Sequence, residues 1–303
     1  MTPTIELQAG AGRVVVVPDI GGAIAAFECG GHAILRPTPE EAVVAGDVRS
    51  FACFPLVPFS NRIDGATLHW AGRAFALTRY VDSDLCAIHG NGWQRAWRVT
   101  QRDAGHLVID LLHDAAASRA REWPFPYRAR QSFALTADAT GVTLSVELAI
   151  ENIGSESFPF GMGWHPYFDR DPQTEIGLGA KHVWHTDASR LPARLGPVPA
   201  DWSFDPPRAI GATVLDNCFA GWRSPAMVRW PERALAAEIS AGPACRFLVA
   251  YIPEGKSFFA LEPVTHMTDA FNLAGNDEDT GTRVLAPGAS FSCTMSISAS
   301  PNR

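Results

Sequence analysis

Phe291-Ser292-Cys293-Thr294-Met295-Ser296-Ile297-Ser298 sets an apolar side chain at every second position and a hydroxyl-bearing one between. In an extended chain successive side chains point to opposite faces, so this segment is a strand with one face on a core and the other toward water. Val142, Leu144, Val146, Leu148 and Ile150 repeat the pattern, with Thr143, Ser145, Glu147 and Glu151 mostly on the other face. Such alternation belongs to antiparallel sheets, whose two faces see different surroundings. Its place near residue 303 implies that the C-terminal segment is paired into a sheet.

Other strand signals recur along the chain. Arg13-Val14-Val15-Val16-Val17 ends at Pro18 and a Gly21-Gly22 turn, and Leu107 to Leu112 and Phe247 to Ile252 are apolar runs of strand length. Helical periodicity is nearly absent, and the 26 glycines and 23 prolines fall mostly between strands, where they make turns. There is no repeat of fixed period, no low-complexity segment and no block of like charge. Pro192 to Pro207 carries five prolines and little strand pattern, and with strand signals on both sides it reads as a long surface loop. All-β sandwiches reach about 200–250 residues as single units. The expectation is therefore an all-β fold of sandwich type, with residues 1–303 forming one domain.

A hydrophobic content of 47% and a charged content of 19% describe an ordinary globular protein with ample material for a core. The formal net charge of -7 argues against nucleic acid and anionic membrane surfaces as partners. No apolar run approaches the roughly 18 residues of a membrane helix. The N-terminal residues lack a basic region followed by an apolar core, which points to a cytoplasmic protein without a signal peptide. The six cysteines form no Cys-x-x-Cys pair and read as small buried thiols rather than disulfides.

Polar residues set against apolar ones mark the candidate site. Gly161-Met162-Gly163-Trp164-His165-Pro166-Tyr167-Phe168-Asp169 places a histidine among aromatics. Imidazole titrates near neutrality, and Trp164 and Tyr167 offer flat faces for C–H groups with polar tips for hydroxyls. Glu262 follows the apolar Phe258-Phe259-Ala260-Leu261 and precedes Pro263, so strand pairing is expected to stop there. A desolvated carboxylate at that point has its pKa raised toward the range of a general base, although a buried acid paired with an arginine is an equal alternative. Asn61-Arg62 follows an apolar turn, His89 lies in a glycine-flanked loop, and Leu215-Asp216-Asn217-Cys218-Phe219 sets an acid within a largely apolar segment. His266 is a lesser candidate by proximity to Glu262. His182 and His185 would share a metal only on a helix, and no third ligand is evident, so no metal is expected.

Asn61-Arg62, His89-Gly90, Trp123-Pro124-Phe125-Pro126-Tyr127, Gly163-Trp164-His165-Pro166-Tyr167-Phe168, Leu215-Asp216 and Leu261-Glu262-Pro263, with Asp269-Ala270-Phe271-Asn272 downstream, resemble the aldose 1-epimerase (galactose mutarotase) family. The matches run in the family's order from about Asn61 to Asn272. The resemblance implies a large antiparallel β-sandwich, the galactose mutarotase-like supersandwich. It implies an isomerase that interconverts the α and β anomers of a free aldose by general acid/base ring opening and closure. His165 would protonate the ring oxygen, and Glu262 would take the proton from the anomeric hydroxyl. His89 would orient the sugar and stabilise charge at the ring oxygen, while Arg62 and Asp216 would hydrogen-bond its hydroxyls and Asn61 would support Arg62. The chemistry is consistent with that division: acid and base, expected one on each side of the ring, open and reclose the hemiacetal without a cofactor.

Three alternatives stand beside this reading. A hexose-6-phosphate 1-epimerase would need extra basic residues; Arg62, Arg95 and Arg98 form no dense cluster. A non-catalytic sugar-binding relative would not need both His165 and Glu262. A glycosidase would use two carboxylates such as Asp216 and Glu262 and leave the histidines without a task. Either a monomer or a homodimer is compatible with the sequence.

Overall fold

The computed structural model describes residues 2–275 and 278–301. The two alternating segments lie side by side as the antiparallel strands Val142–Asn152 and Ser290–Pro301. Leu144 faces Ile297, Val146 faces Met295 and Leu148 faces Cys293, all six side chains buried. Each fully buried aliphatic side chain contributes about 1.5–3 kcal/mol. On the other face, Thr143 Oγ1 lies 2.9 Å from Ser298 Oγ and Ser145 Oγ lies 2.8 Å from Ser296 Oγ, so the hydroxyls pair across the strands.

These strands sit within a nine-stranded antiparallel sheet. Its order is Arg98–Arg102, His106–His113, Tyr127–Ala137, Val142–Asn152, Ser290–Pro301, Leu235–Ala241, Arg223–Trp230, Glu175–Gly179 and Phe204–Ala209. An eight-stranded sheet runs Pro192–Pro197, His182–Thr186, Leu215–Ala220, Phe247–Ile252, Phe258–Val264, Gly163–Trp164 and Pro55–Leu56, with Tyr167–Asp169 also paired to Phe258–Val264. The sheets pack face to face: the Phe168 and Trp230 ring centroids are 6.3 Å apart, and Trp230 Nε1 donates to Asp169 O at 2.9 Å. One apolar core joins residues from Ile5 to Ala299. The fold is thus a large antiparallel β-sandwich. Among the described residues α-helix is confined to Glu40–Ala45, and no helix is long and apolar enough to cross a membrane.

Two features differ from the sequence reading. Residues 192–207 are not a surface loop. Pro192–Pro197 is an edge strand of the eight-stranded sheet, Phe204–Ala209 an edge strand of the nine-stranded one, and Ala200–Trp202 a turn between them. Proline hides a strand pattern, yet an edge tolerates it because the missing N–H would face solvent. Pairing also does not stop at Glu262: Leu248 faces Pro263 and Phe247 faces Val264. On the other side, the ladder has no pair between Ala260 and Val264, so no acceptor there loses a donor to Pro263. All six cysteines are buried and unpaired, as expected for small apolar thiols.

Candidate active site

Register brings His165 to Glu262. Tyr167 faces Ala260 and Gly163 faces Val264, so the same antiparallel register sets residue 165 opposite residue 262. Opposed residues hold their Cβ atoms about 4.5–5.5 Å apart on one face. His165 Nε2 accordingly lies 3.2 Å from Glu262 Oε1. The approach depends on Gly163, where a Cβ would lie 2.4 Å from Pro263 O. His165 packs against two rings, with centroids 4.8 Å from Phe54 and 4.4 Å from Tyr167.

Alternation then builds the floor of a cavity of about 580 Å³ on the sheet face turned away from the nine-stranded sheet. Glu262, His165 and Tyr167 line it, as do Tyr251 and its strand neighbour Asp216. Asn61, Arg62, His89, Trp93 and Asp84 form part of its wall.

The wall is held by a short pair of strands, Arg62–Ile63 and Ala87–Ile88. Asn61 and His89, just before and after them, both adopt left-handed backbone conformations, φ 54° and 63°. They bind each other: Asn61 N donates to His89 Nδ1 at 3.0 Å, and His89 N donates to Asn61 O at 2.9 Å. Because Nδ1 accepts, the ring proton of neutral His89 is on Nε2. Burial, with His165 and Arg62 nearby, holds the His89 pKa well below its ordinary value, so the ring is neutral. Asn61 Oδ1 accepts from Arg62 N at 2.9 Å and from Arg62 Nη1 at 3.3 Å, which helps to hold the arginine in place. Arg62 is itself buried; its Nε donates to Asp84 Oδ2 at 2.9 Å, and its Nη2 lies 3.5 Å from Asp216 Oδ2. Asp269 anchors the same segment: its N–H donates to Arg62 O at 2.8 Å, and its Oδ1 accepts from Asp64 N at 3.1 Å.

The electrostatics of the floor follow from burial. Desolvation pushes Glu262 well above the usual carboxylate range; nearby Asp216 adds to this and Arg62 opposes it. Desolvation also lowers His165 to about 3. Burial therefore favours the uncharged form of both partners. Glu262 Oε2 and His165 Nδ1 have no hydrogen-bond partner among the described residues.

The predicted residues His165, Glu262, Arg62, His89, Asp216, Asn61 and Tyr167 share this cavity. Trp164 does not. Alternation along its strand turns it into the core, where it is 1% exposed, so its ring offers no platform to a bound molecule. His266 is also excluded: its Nε2 accepts from Ser60 N at 3.0 Å and its Nδ1 lies 2.7 Å from Met267 O, a buried structural pairing. His165 and Glu262 touch rather than face each other across a ring-sized gap. The two oxygens that exchange protons in a hemiacetal are bonded to one carbon, so groups serving them belong close together. His182 and His185 lie on a strand, where residues three apart turn to opposite faces. Phe54, Asp84, Tyr251 and Arg190 line the cavity without having been singled out. Asp84 sits in the polar run Asp82-Ser83-Asp84 with nothing to distinguish it, and the apolar run around Tyr251 masks the alternation that would have turned it to the cavity.

The sequence profile described as aldose 1-epimerase matches residues 3–298. The uncharacterized Escherichia coli K12 protein YphB is 33% identical over 289 residues, covering 93% of each chain. YihR, another uncharacterized protein of that organism, is 27% identical over 281 residues, covering 89% of this chain and 86% of its own. A crystal structure of an Escherichia coli K12 protein provisionally named an aldose 1-epimerase matches with a TM-score of 0.86 at 31% identity, covering 98% of both chains. A galactose mutarotase-like protein from Clostridium acetobutylicum has the same fold, with a TM-score of 0.86 at 16% identity over 98% of this chain and 95% of that one. With the profile spanning nearly its whole length, the chain belongs to the aldose 1-epimerase family.

Proposed function

We propose that this protein interconverts the α and β anomers of a free aldose by acid/base opening and closing of the sugar ring. The observation that carries the reading is the 3.2 Å contact between His165 Nε2 and Glu262 Oε1 on the floor of a cavity also lined by Arg62, His89 and Asp216. In the opening step Glu262 takes the proton from the C1 hydroxyl, the bond from C1 to the ring oxygen breaks, and His165 delivers a proton to that oxygen. Rotation about C1–C2 presents the other face of the aldehyde. On closure the released hydroxyl attacks C1, giving its proton back to His165 while Glu262 returns one to O1. Each step conserves protons.

The neutral pair holds the one proton this cycle requires. Moving it from Glu262 to His165 yields the carboxylate base and imidazolium acid. Sugar hydroxyls donating to the carboxylate, together with the positive charge of Arg62, favour that form. Neutral His89, with its proton on Nε2, is suited to donate to the ring oxygen as charge develops there. Positioned acid and base groups each contribute about 10²–10⁴-fold.

The charges of the cavity favour an uncharged sugar over a phosphorylated one. Arg62 is matched by Asp84 and Asp216, Arg190 lies against Asp216, and Arg49 lies against Asp47. Among the described residues that line the cavity, no arginine is without a carboxylate partner and so free to neutralise a phosphate. Polarimetry on freshly dissolved α-D-glucose, α-D-galactose and α-D-xylose, with glucose 6-phosphate in parallel, tests this. Faster equilibration of at least one free sugar is expected; acceleration of the phosphate alone would replace the substrate, and no acceleration of any would remove the activity.

A further inference from the structure

The strands His182–Thr186 and Pro192–Pro197 form a hairpin whose turn, 187–191, reaches the mouth of the cavity. The turn is fixed from within. Asp187 Oδ1 accepts from Ser189 N at 2.8 Å and from Leu191 N at 3.1 Å, and Asp187 N donates to Leu191 O at 2.9 Å. Arg190 N donates to Asp187 O at 3.1 Å and adopts φ 64°, a left-handed conformation uncommon for a residue with a side chain. The result is aim: Arg190 Nε lies 3.9 Å from Asp216 Oδ2, the same oxygen that Arg62 approaches to 3.5 Å. The Arg190 side chain is 63% exposed, so its guanidinium belongs to the open rim.

Asp216 stands two strands away from Glu262, since Phe247–Ile252 separates Leu215–Ala220 from Phe258–Val264. Neighbouring strands are about 4.8 Å apart. A sugar whose C1 meets His165 and Glu262 therefore turns its far end toward Asp216 and Arg190. Guanidinium carries five N–H donors, and one ion pair leaves most of them free for hydroxyls.

We propose that Arg190 is a substrate-binding residue that recognises the hydroxyls at the end of the sugar remote from C1. The inference rests on the reading of the cavity as an aldose site. It assigns the hairpin to affinity rather than to proton transfer: Arg190 acts on hydroxyls that do not react, so ground state and transition state gain equally.

Calorimetric binding of D-galactose, alongside KM and kcat for its anomerisation, tests it. Arg190→Ala is expected to weaken binding and raise KM about tenfold, the loss of one hydrogen bond to a charged group, with kcat within about twofold. Asp187→Ala, which loosens the turn without touching the cavity, is expected to raise KM part of the way. The Arg190→Ala deficit should persist with 2-deoxy-D-galactose, which is altered beside C1. Binding unchanged in Arg190→Ala, a fall in kcat at constant KM, or a deficit that vanishes with the 2-deoxy sugar would overturn the assignment. Because calorimetry reads binding without turnover, wild-type protein that binds galactose but does not anomerise it removes the proposed reaction and leaves Arg190 to be judged on affinity alone.

Discussion

Glu262→Gln separates stability from activity at one position. Glu262 is 2% exposed, and its Oε2 has no hydrogen-bond partner among the described residues. Burial, with Asp216 nearby, raises its pKa well above the ordinary 4.5. A carboxyl whose pKa is raised by folding gives its full contribution to stability below the unfolded value, and that contribution is lost as pH rises through the folded one. Wild-type protein therefore pays increasingly for this carboxylate toward alkaline pH, whereas glutamine has the same shape and no charge. A buried unsatisfied polar atom costs about 1–3 kcal/mol, more when charged. The variant should match wild type near pH 4 and exceed it by roughly 1–3 kcal/mol at pH 8, an upward shift of about 2 °C in Tm per kcal/mol. Anomerisation should fall by about 10²–10⁴-fold while galactose affinity changes little. Thermal melts at the two pH values and polarimetry on one preparation give both numbers. A variant less stable than wild type at pH 8 would refute the electrostatic reasoning, and one with nearly full activity would remove Glu262 as the base.

Further outcomes follow from the same geometry. The rate of anomerisation should fall at both ends of the pH range: at the acid end as His165, lowered to about 3, binds a second proton for the pair, and at the alkaline end as Glu262 loses the shared one. A constant rate across that range would contradict a one-proton pair. His266, buried and lowered from 6.5 to about 4, gives stability that is complete above pH 6.5 and is lost as pH falls through 4, about 3 kcal/mol for this group. Urea unfolding of His266→Gln should show a shallower loss over that interval than wild type. Gly163→Ala would place a Cβ 2.4 Å from Pro263 O and force the two site-bearing strands apart. It should cost about 1–3 kcal/mol and lower kcat more than it raises KM; wild-type melting and kcat would show that the close approach is not needed.

Where polarity alternated, the sequence revealed both fold and side-chain direction. Val142 to Ile150 and Phe291 to Ile297 announced their buried faces, and the structure pairs them with each other. The site was legible where a polar residue interrupts an apolar run, as at His165 and Glu262. Direction was lost where every neighbour is apolar. Trp164 and Tyr167 flank the same histidine–proline step, and only pairing with Phe258–Val264 reveals that one turns to the core and the other to the cavity. The edge strands at 192–197 and 204–209 were hidden because proline carries no β signal even where an edge accepts it. Asp84 and Arg190 were missed because each reaches the cavity from a polar loop, and only the folded chain brings them to Arg62 and Asp216.

Magnetisation transfer between the C1 protons of α- and β-D-galactose at equilibrium tests the central claim most directly, because it reads ring opening and closure with no net reaction. At pH 7, saturating one anomer should deplete the other when wild-type protein is present, and the transfer should drop to the buffer level when His165→Ala or Glu262→Gln replaces it. Transfer undiminished in both variants would show that some other part of the protein opens the ring, and the paired proton at the cavity floor would have no role.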